Sequence, residues 1–151
     1  MTIENLNLLG YSLDITEFVL VALPKLKTIV IGPNSFGVTH VFQLKNLKEL
    51  RSVVIGSDSF GITHVFQLEN LWKLESVVIG SDSFIANGLQ GTMHIVNCNS
   101  LASIRFNDGS FAGYQSIELR GLPSLISIVM GEQCFSLARE LVITGCGFCY
   151  I

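Results

Sequence analysis

Four cysteines are the first residues whose chemistry could define a site, because thiolates bind metals, form disulfides and act as nucleophiles. Cys146 and Cys149 have a C-x-x-C spacing, whereas Cys98 and Cys134 stand apart from them. A zinc site of this kind needs a second closely spaced pair, which the sequence does not contain. The spacing therefore predicts structural thiols, and we expect no metal and no cofactor.

Three histidines are the other candidates for acid–base chemistry. His40 and His64 occur in two copies of the same stretch, Thr-His-Val-Phe-Gln-Leu, so duplication explains the pair. His94 is expected to face outward between Met93 and Ile95. Because no serine, cysteine or carboxylate falls beside any of the three at a catalytic spacing, the sequence does not predict an enzyme.

Composition narrows the class of protein further. Only 14% of the 151 residues are charged, the net charge is -3, and there is no run of lysine or arginine, so nucleic acid is not an expected partner. The mean hydropathy is +0.53, but no apolar run approaches the roughly 18 residues that span a bilayer. We therefore expect one domain over residues 1–151, with its apolar residues distributed periodically and no membrane span.

An internal repeat supplies that period. The segment 47–60 recurs almost unchanged at 71–84, an offset of 24 residues. Weaker copies begin at Leu23, Cys98, Leu122 and Cys146. The repeat predicts coils at about 1–22, 23–46, 47–70, 71–97, 98–121 and 122–145, with a partial coil at 146–151.

The spelling of each coil resembles the leucine-rich repeat L-x-x-L-x-L-x-x-N-x-L, laid on residues 26–36 with one extra residue between its first two leucines. The Ile-Gly-x-x-Ser-Phe motif at Ile31, Ile55 and Ile79 is most similar to that of the BspA-like repeats in bacterial and protist surface proteins. This resemblance implies a mostly β, leucine-rich-repeat solenoid of about six coils with a parallel sheet on the L-x-L face. It also implies a protein-binding and adhesive role.

Aligned positions predict which side chains face inward. Cys98, Cys146 and Cys149 replace leucines of two inward columns, and Cys134 replaces the small residue before the phenylalanine. A second alternating pair follows that phenylalanine in each coil, which predicts a second short strand on the opposite wall. Residues that tolerate a left-handed turn then close each coil: Asn46, Asn70, Asn97, Gly121 and Gly145.

Two departures from the family pattern affect the expectations. At the position of Asn34, later coils have Asp58, Asp82, Gly109 and Gln133, so the family's hydrogen-bonded asparagine ladder is not expected beyond Asn34.

The second departure is at the ends, where the segment 1–22 fits the repeat with one residue missing and no polar cap is visible. Its inward residues are Ile3, Leu6, Leu8, Leu13, Phe18 and Leu20. Because solenoids ordinarily need caps, we expect either that the ends stack on neighbouring copies or that the natural protein is longer. No secretory signal is visible, and the BspA-like resemblance implies the cell surface only through a longer parent.

Candidate binding residues come from the outward positions of the L-x-L strand, which contact partners in the family. One column is Thr28, Ser52, Ser76, Ser103 and Ser127, and its neighbour is Val30, Val54, Val78, Arg105 and Val129. Trp72 is the best aromatic anchor, and Leu89 lies in the loop 85–91 that contains the three-residue insertion of coil 71–97. Replacing both with polar residues is predicted to weaken capture of a partner without unfolding the chain.

The sequence leaves several interpretations of these columns open. The serine and valine columns could bind an extended ligand or a second copy, or could be good strand residues left by duplication. An ice- or glycan-binding ladder is weaker, since only Thr28 is threonine. The first hypothesis is a non-catalytic protein-interaction module, and the alternative is a structural subunit whose coils stack into a filament or oligomer.

Overall fold

The computed structural model describes residues 2–9, 14–88 and 90–147. This part of the chain contains twelve strands and no helix. Sheet A consists of β1 (Asn5–Leu8), β3 (Thr28–Ile31), β5 (Ser52–Ile55), β7 (Ser76–Ile79), β9 (Ser103–Phe106) and β11 (Ser127–Met130). Sheet B consists of β2 (Glu17–Val21), β4 (Val41–Lys45), β6 (Val65–Glu69), β8 (Gly91–Val96), β10 (Tyr114–Leu122) and β12 (Glu140–Cys146).

All neighbouring strands in both sheets are parallel, as the repeat requires when each coil contributes one strand to each wall. Equivalent residues of successive coils are partners, for example Ile29 with Val53 and Val53 with Val77. The chain is therefore a β-solenoid of about six turns with a period of about 24 residues, and the prediction of two parallel strand walls is confirmed.

The segment before residue 23 follows the same register. Leu6 pairs with Ile29 in sheet A, and Phe18 pairs with Phe42 in sheet B. Phe18 is buried and Leu6, Leu8 and Leu20 are partly buried, as predicted. Ile3 is 41% exposed, so its predicted inward position was wrong, and Leu13 lies outside the described residues.

Aromatic stacks fill the space between the two walls. Five phenylalanine rings from successive coils lie face to face with centroids 4.8 to 5.2 Å apart: Phe36, Phe60, Phe84, Phe111 and Phe135. A second stack of Phe18, Phe42 and Phe66 meets the first edge-on. Offset-stacked and edge-to-face pairs are favoured beyond the area they bury, so these stacks couple each coil to the next.

Left-handed corners bend the chain between the walls. The residues predicted to close each coil have φ between 54° and 67°, which confirms that turn chemistry. The column of Asn34 is also left-handed, and so are the five stacked phenylalanines, with φ between 51° and 58°. A left-handed backbone is unfavourable for a bulky residue, and we attribute its persistence here to the stacking that holds each ring.

Buried serines, one position after the Asn34 column, connect neighbouring coils by hydrogen bonds. Ser35, Ser59, Ser83 and Ser110 are fully buried. The Ser59 hydroxyl donates to the Gly32 carbonyl at 3.1 Å and accepts from the Ser35 amide at 3.2 Å. At the Asn34 column the backbone amides themselves donate to the next coil, as from Asp58 to the Ser81 carbonyl at 2.9 Å.

Tyr114 packs beside coil 71–97, the coil that contains the three-residue insertion. Its ring is completely buried, and its hydroxyl donates to the Thr63 carbonyl, two coils away, at 2.8 Å. Gly91 makes this possible, because a Cβ there would lie 2.5 Å from the tyrosine ring. The tyrosine thus connects coils 98–121 and 47–70 across coil 71–97, which lies between them.

Candidate functional site

The predicted binding columns lie in one surface, the outward side of sheet A, which we call the ladder face. It comprises Thr28, Ser52, Ser76, Ser103 and Ser127, with the adjoining Val30, Val54, Val78, Arg105 and Val129. The strand register brings each column together across five coils. Burial alternates along β3, β5, β7 and β9, and in β11 Ile128 is the least exposed residue. The side chains of the ladder face are therefore partly or fully exposed.

The hydroxyls of this face have few partners within the molecule. Thr28 donates to the side chain of Asn5 at 2.6 Å. Within the described residues, no side-chain hydrogen bond engages the four serine hydroxyls and no carboxylate pairs with Arg105. Arg105 lies in register between Val78 and Val129. The ladder face therefore presents small apolar groups, available hydroxyls and one available cation.

The outward side of sheet B is different, because its polar side chains are bonded to one another. Gln43 donates to Gln67 at 2.6 Å, and Gln67 donates to Glu69 at 2.8 Å. Lys45 completes the group through an ion pair with Glu69 at 3.1 Å. Each of these contacts uses groups that a partner would otherwise bind.

A histidine–glutamate pair continues this network. His94 faces outward as predicted, but its Nδ1 lies 2.7 Å from Glu118 Oε2. The expectation that no carboxylate would lie beside a histidine was therefore wrong. The period explains the pair, since Glu118 is 24 residues after His94. Arg120 binds the other oxygen of Glu118 at 3.2 Å, so this carboxylate is shared between two cations when the histidine is protonated.

Trp72 lies on the corner that leads into sheet A and is 42% exposed. Its carbonyl accepts a hydrogen bond from Ser100 at 2.7 Å, which ties the corner to the next coil. Beside it, Asn70 donates to Asn46 at 3.1 Å and Asn97 donates to Asn70 at 3.4 Å. Leu89 lies outside the described residues.

The structure also describes three of the four cysteines and the other two histidines. Cys98 and Cys146 are buried in their inward columns, and Cys134 is partly buried next to Ser110, while Cys149 lies outside the described residues. Burial raises the pKa of the Cys98 thiol to about 12, so the reactive thiolate is disfavoured there. His40 and His64 contact each other edge to face, with centroids 5.7 Å apart.

Two small depressions, each of about 210 Å³, lie near the first coils. One is lined by Thr2, Ile3, Leu23, Pro24 and Lys25, and the other by Ala22, Pro24, Asn46 and Lys48. In the described ranges 2–9, 14–88 and 90–147, no three histidine, cysteine or acidic side chains are grouped to hold a metal ion. Nor do those ranges form a helix that could span a membrane.

The chain was also compared with family models, curated proteins and solved structures, and none of the three comparisons found a match. Any further assignment therefore depends on the repeat and on the two outward faces of the sheets.

Proposed function

We propose that this chain is a non-catalytic, leucine-rich-repeat-type module that binds a protein partner through the ladder face. One observation carries the proposal. The polar groups of sheet A have few internal partners, whereas those of sheet B are bonded to one another. A binding surface must keep hydrogen-bonding groups available for the partner, since buried polar groups left unpaired reduce affinity.

The leucine-rich-repeat type is supported by the pair of inward residues on the sheet A strands, such as Ile29 and Ile31 on β3. In each coil a strand of sheet B follows on the opposite side of the core. The Ile-Gly-x-x-Ser-Phe motif supports the BspA-like subclass and, through it, an adhesive role. The departures are the aspartates at the Asn34 column and the buried serine ladder that links the coils.

A non-catalytic role is supported by the placement of the ionisable groups. The His94–Glu118 pair lies on the wall of sheet B and is bonded to Arg120. The described residues that line the two small depressions include lysines but no histidine, cysteine or carboxylate. Histidine and carboxylates are among the commonest general acids and bases in enzymes.

The complementary partner surface follows from the ladder face. Its small side chains would fit a flat or extended backbone, and Arg105 would pair with a carboxylate on the partner. The partner we propose is therefore a protein with an extended or flat, weakly polar surface that carries an acidic group.

The test uses two matched serine-to-arginine variants, Ser76→Arg on the ladder face and Ser116→Arg on the outward side of sheet B. Binders are first selected with the wild-type chain on a protein array, and dissociation constants are then measured by biolayer interferometry. Ser76→Arg should weaken binding at least about tenfold, the equivalent of about 1.4 kcal/mol. Ser116→Arg should leave binding unchanged.

Circular dichroism melts check that both variants are folded. Trp72→Ser is a third variant, which tests the exposed corner separately. Equal binding by the wild-type chain and a folded Ser76→Arg variant would contradict the proposal, and so would a loss of binding confined to Ser116→Arg.

A further inference from the structure

Exposed apolar side chains are concentrated in the last coil, residues 122–145. This coil contributes six of them: Ile126, Val129, Met130, Leu137, Leu141 and Val142. Among these, Val129 and Val142 lie on the outward sides of the two sheets. Met130 and Leu141 hold inward columns, yet they are 48% and 57% exposed, whereas Ile55 and Phe66 in the same columns are at most 1% exposed. In these two columns the last coil therefore exposes side chains whose equivalents in the interior coils are buried.

The backbone of this coil is also unpaired on one side. Among the described residues, β11 pairs only with β9, and β12 pairs only with β10. The strands β1 and β2 form the other edges of the same two sheets. Unpaired parallel edges that flank an apolar surface are templates for a further strand from another chain.

We propose that the last coil binds the first coil of a second copy, so that both sheets continue from one copy into the next. Extending the observed register places Ile128 and Met130 on the partner's Leu6 and Leu8. In sheet B it places Leu141 and Ile143 on the partner's Phe18 and Leu20. This proposal is independent of the ladder face.

A second copy is the occupant because the same contact already occurs between coils within the molecule. The columns of Leu6, Leu8 and Leu20 repeat those of the interior, and all three side chains are only partly buried. Each surface thus meets the kind of residue that covers its equivalents elsewhere in the chain. The contact joins two different surfaces, so each copy keeps one free end, and assembly proceeds to open chains of copies.

This register also places two like charges opposite each other. Ser116 pairs with Glu140 and Glu17 pairs with Val41, so Glu140 of one copy would face Glu17 of the next. Like charges directly opposite in a sheet are destabilising. Glu17→Lys should therefore strengthen association by about two- to fivefold, and adding Glu140→Lys should reverse the gain.

The main experiment is sedimentation velocity on the 151-residue chain from low micromolar to near-millimolar concentration, with electron microscopy of the concentrated sample. We expect the average mass of the wild-type chain to rise with concentration. Met130→Arg on the last coil and Leu8→Arg on the first coil should each weaken association more than about a hundredfold, because each would bury an unpaired charge. Thr92→Arg, on the outward side of the interior strand β8, is the matched control and should associate like the wild type.

Mixing the two blocked variants identifies which surfaces meet. Each blocked variant alone should be a monomer, but a mixture should form a one-to-one dimer, because Met130→Arg keeps its first-coil surface and Leu8→Arg keeps its last-coil surface. Dimers of Leu8→Arg alone would overturn the proposal in favour of contact between two last coils. A wild-type chain that stays monomeric at every concentration would overturn it outright.

Discussion

Met93 and Leu141 occupy the same inward column, yet Met93 is fully buried and Leu141 is 57% exposed. Both side chains are apolar and both lie on parallel strands of sheet B, so neither polarity nor strand direction explains the difference. Met93 has a coil on each side, whereas Leu141 has a described coil on one side only. In a solenoid the burial of a side chain is supplied by both neighbours, so position in the stack decides what each residue contributes.

The largest contrast is expected from the same substitution at these two positions. Met93→Lys places an ammonium in the core without a counterion, which costs several kcal/mol, and we expect it to unfold much of the chain. Leu141→Lys should change the free energy of unfolding by about 0.5 kcal/mol or less, as for an exposed position. Urea denaturation followed by circular dichroism measures both. Comparable losses at the two positions would show that the last coil is covered in solution.

Two phenylalanines of the stack allow an interior coil and the last coil to be compared without introducing a charge. Phe84 stacks between Phe60 and Phe111 at 4.8 and 5.1 Å, whereas Phe135 stacks only on Phe111 at 5.2 Å among the described residues. Phe84→Ala should destabilise the chain by about 3–5 kcal/mol. Phe135→Ala should cost about half as much, because only one face of its ring stacks on another ring within the described part of the chain. Denaturant midpoints that fall equally would contradict this account of shared burial.

Much of the fold could be predicted because inward side chains recur every 24 residues. The same period places His94 next to Glu118, 24 residues later, so this pair was also predictable from the sequence. The left-handed phenylalanines could not be predicted in this way, since turn rules assign positive φ to glycine and asparagine. Tyr114 was missed because its bond to Thr63 crosses two coils and depends on the insertion.

The candidate site was predicted less completely than the fold. The sequence placed the serine and valine columns outward, and the structure agrees. The sequence could not show which polar side chains lack a partner within the molecule. Gln43 and Gln67 are also polar and face outward, but they are bonded to each other. The proposed contact of Ser76 and Arg105 with a protein remains a prediction.

Alkaline pH tests two buried groups of the interior, Tyr114 and Cys98. Burial raises the pKa of Tyr114 well above its usual value and that of Cys98 to about 12, so the folded chain holds both protons more tightly than the unfolded chain does. This stabilisation is complete below about pH 9 and is lost as pH rises through the folded pKa values, with a slope of about 1.4 kcal/mol per pH unit for each group. Urea midpoints between pH 8 and 11 should therefore fall.

A double variant, Tyr114→Phe with Cys98→Ala, is the control for the alkaline experiment. It is less stable at pH 7, since the Thr63 carbonyl loses its donor at a cost of about 1–3 kcal/mol. Its midpoint should nevertheless fall less steeply with pH than that of the wild-type chain. Parallel slopes would show that neither group is responsible.

The smallest effect on stability is expected for a solvent-exposed ion pair between two neighbouring coils. Arg51 and Glu75 form an ion pair at 2.9 Å, and their side chains are 50% and 58% exposed. A double-mutant cycle with Arg51→Ala and Glu75→Ala should give a coupling of about 0.2–1 kcal/mol that decreases with added salt. The pair lies between interior coils, as Phe84 does, so a small coupling here would show that burial between the walls, and not mere position between two coils, supplies the stability. A coupling as large as the loss from Phe84→Ala would contradict that conclusion.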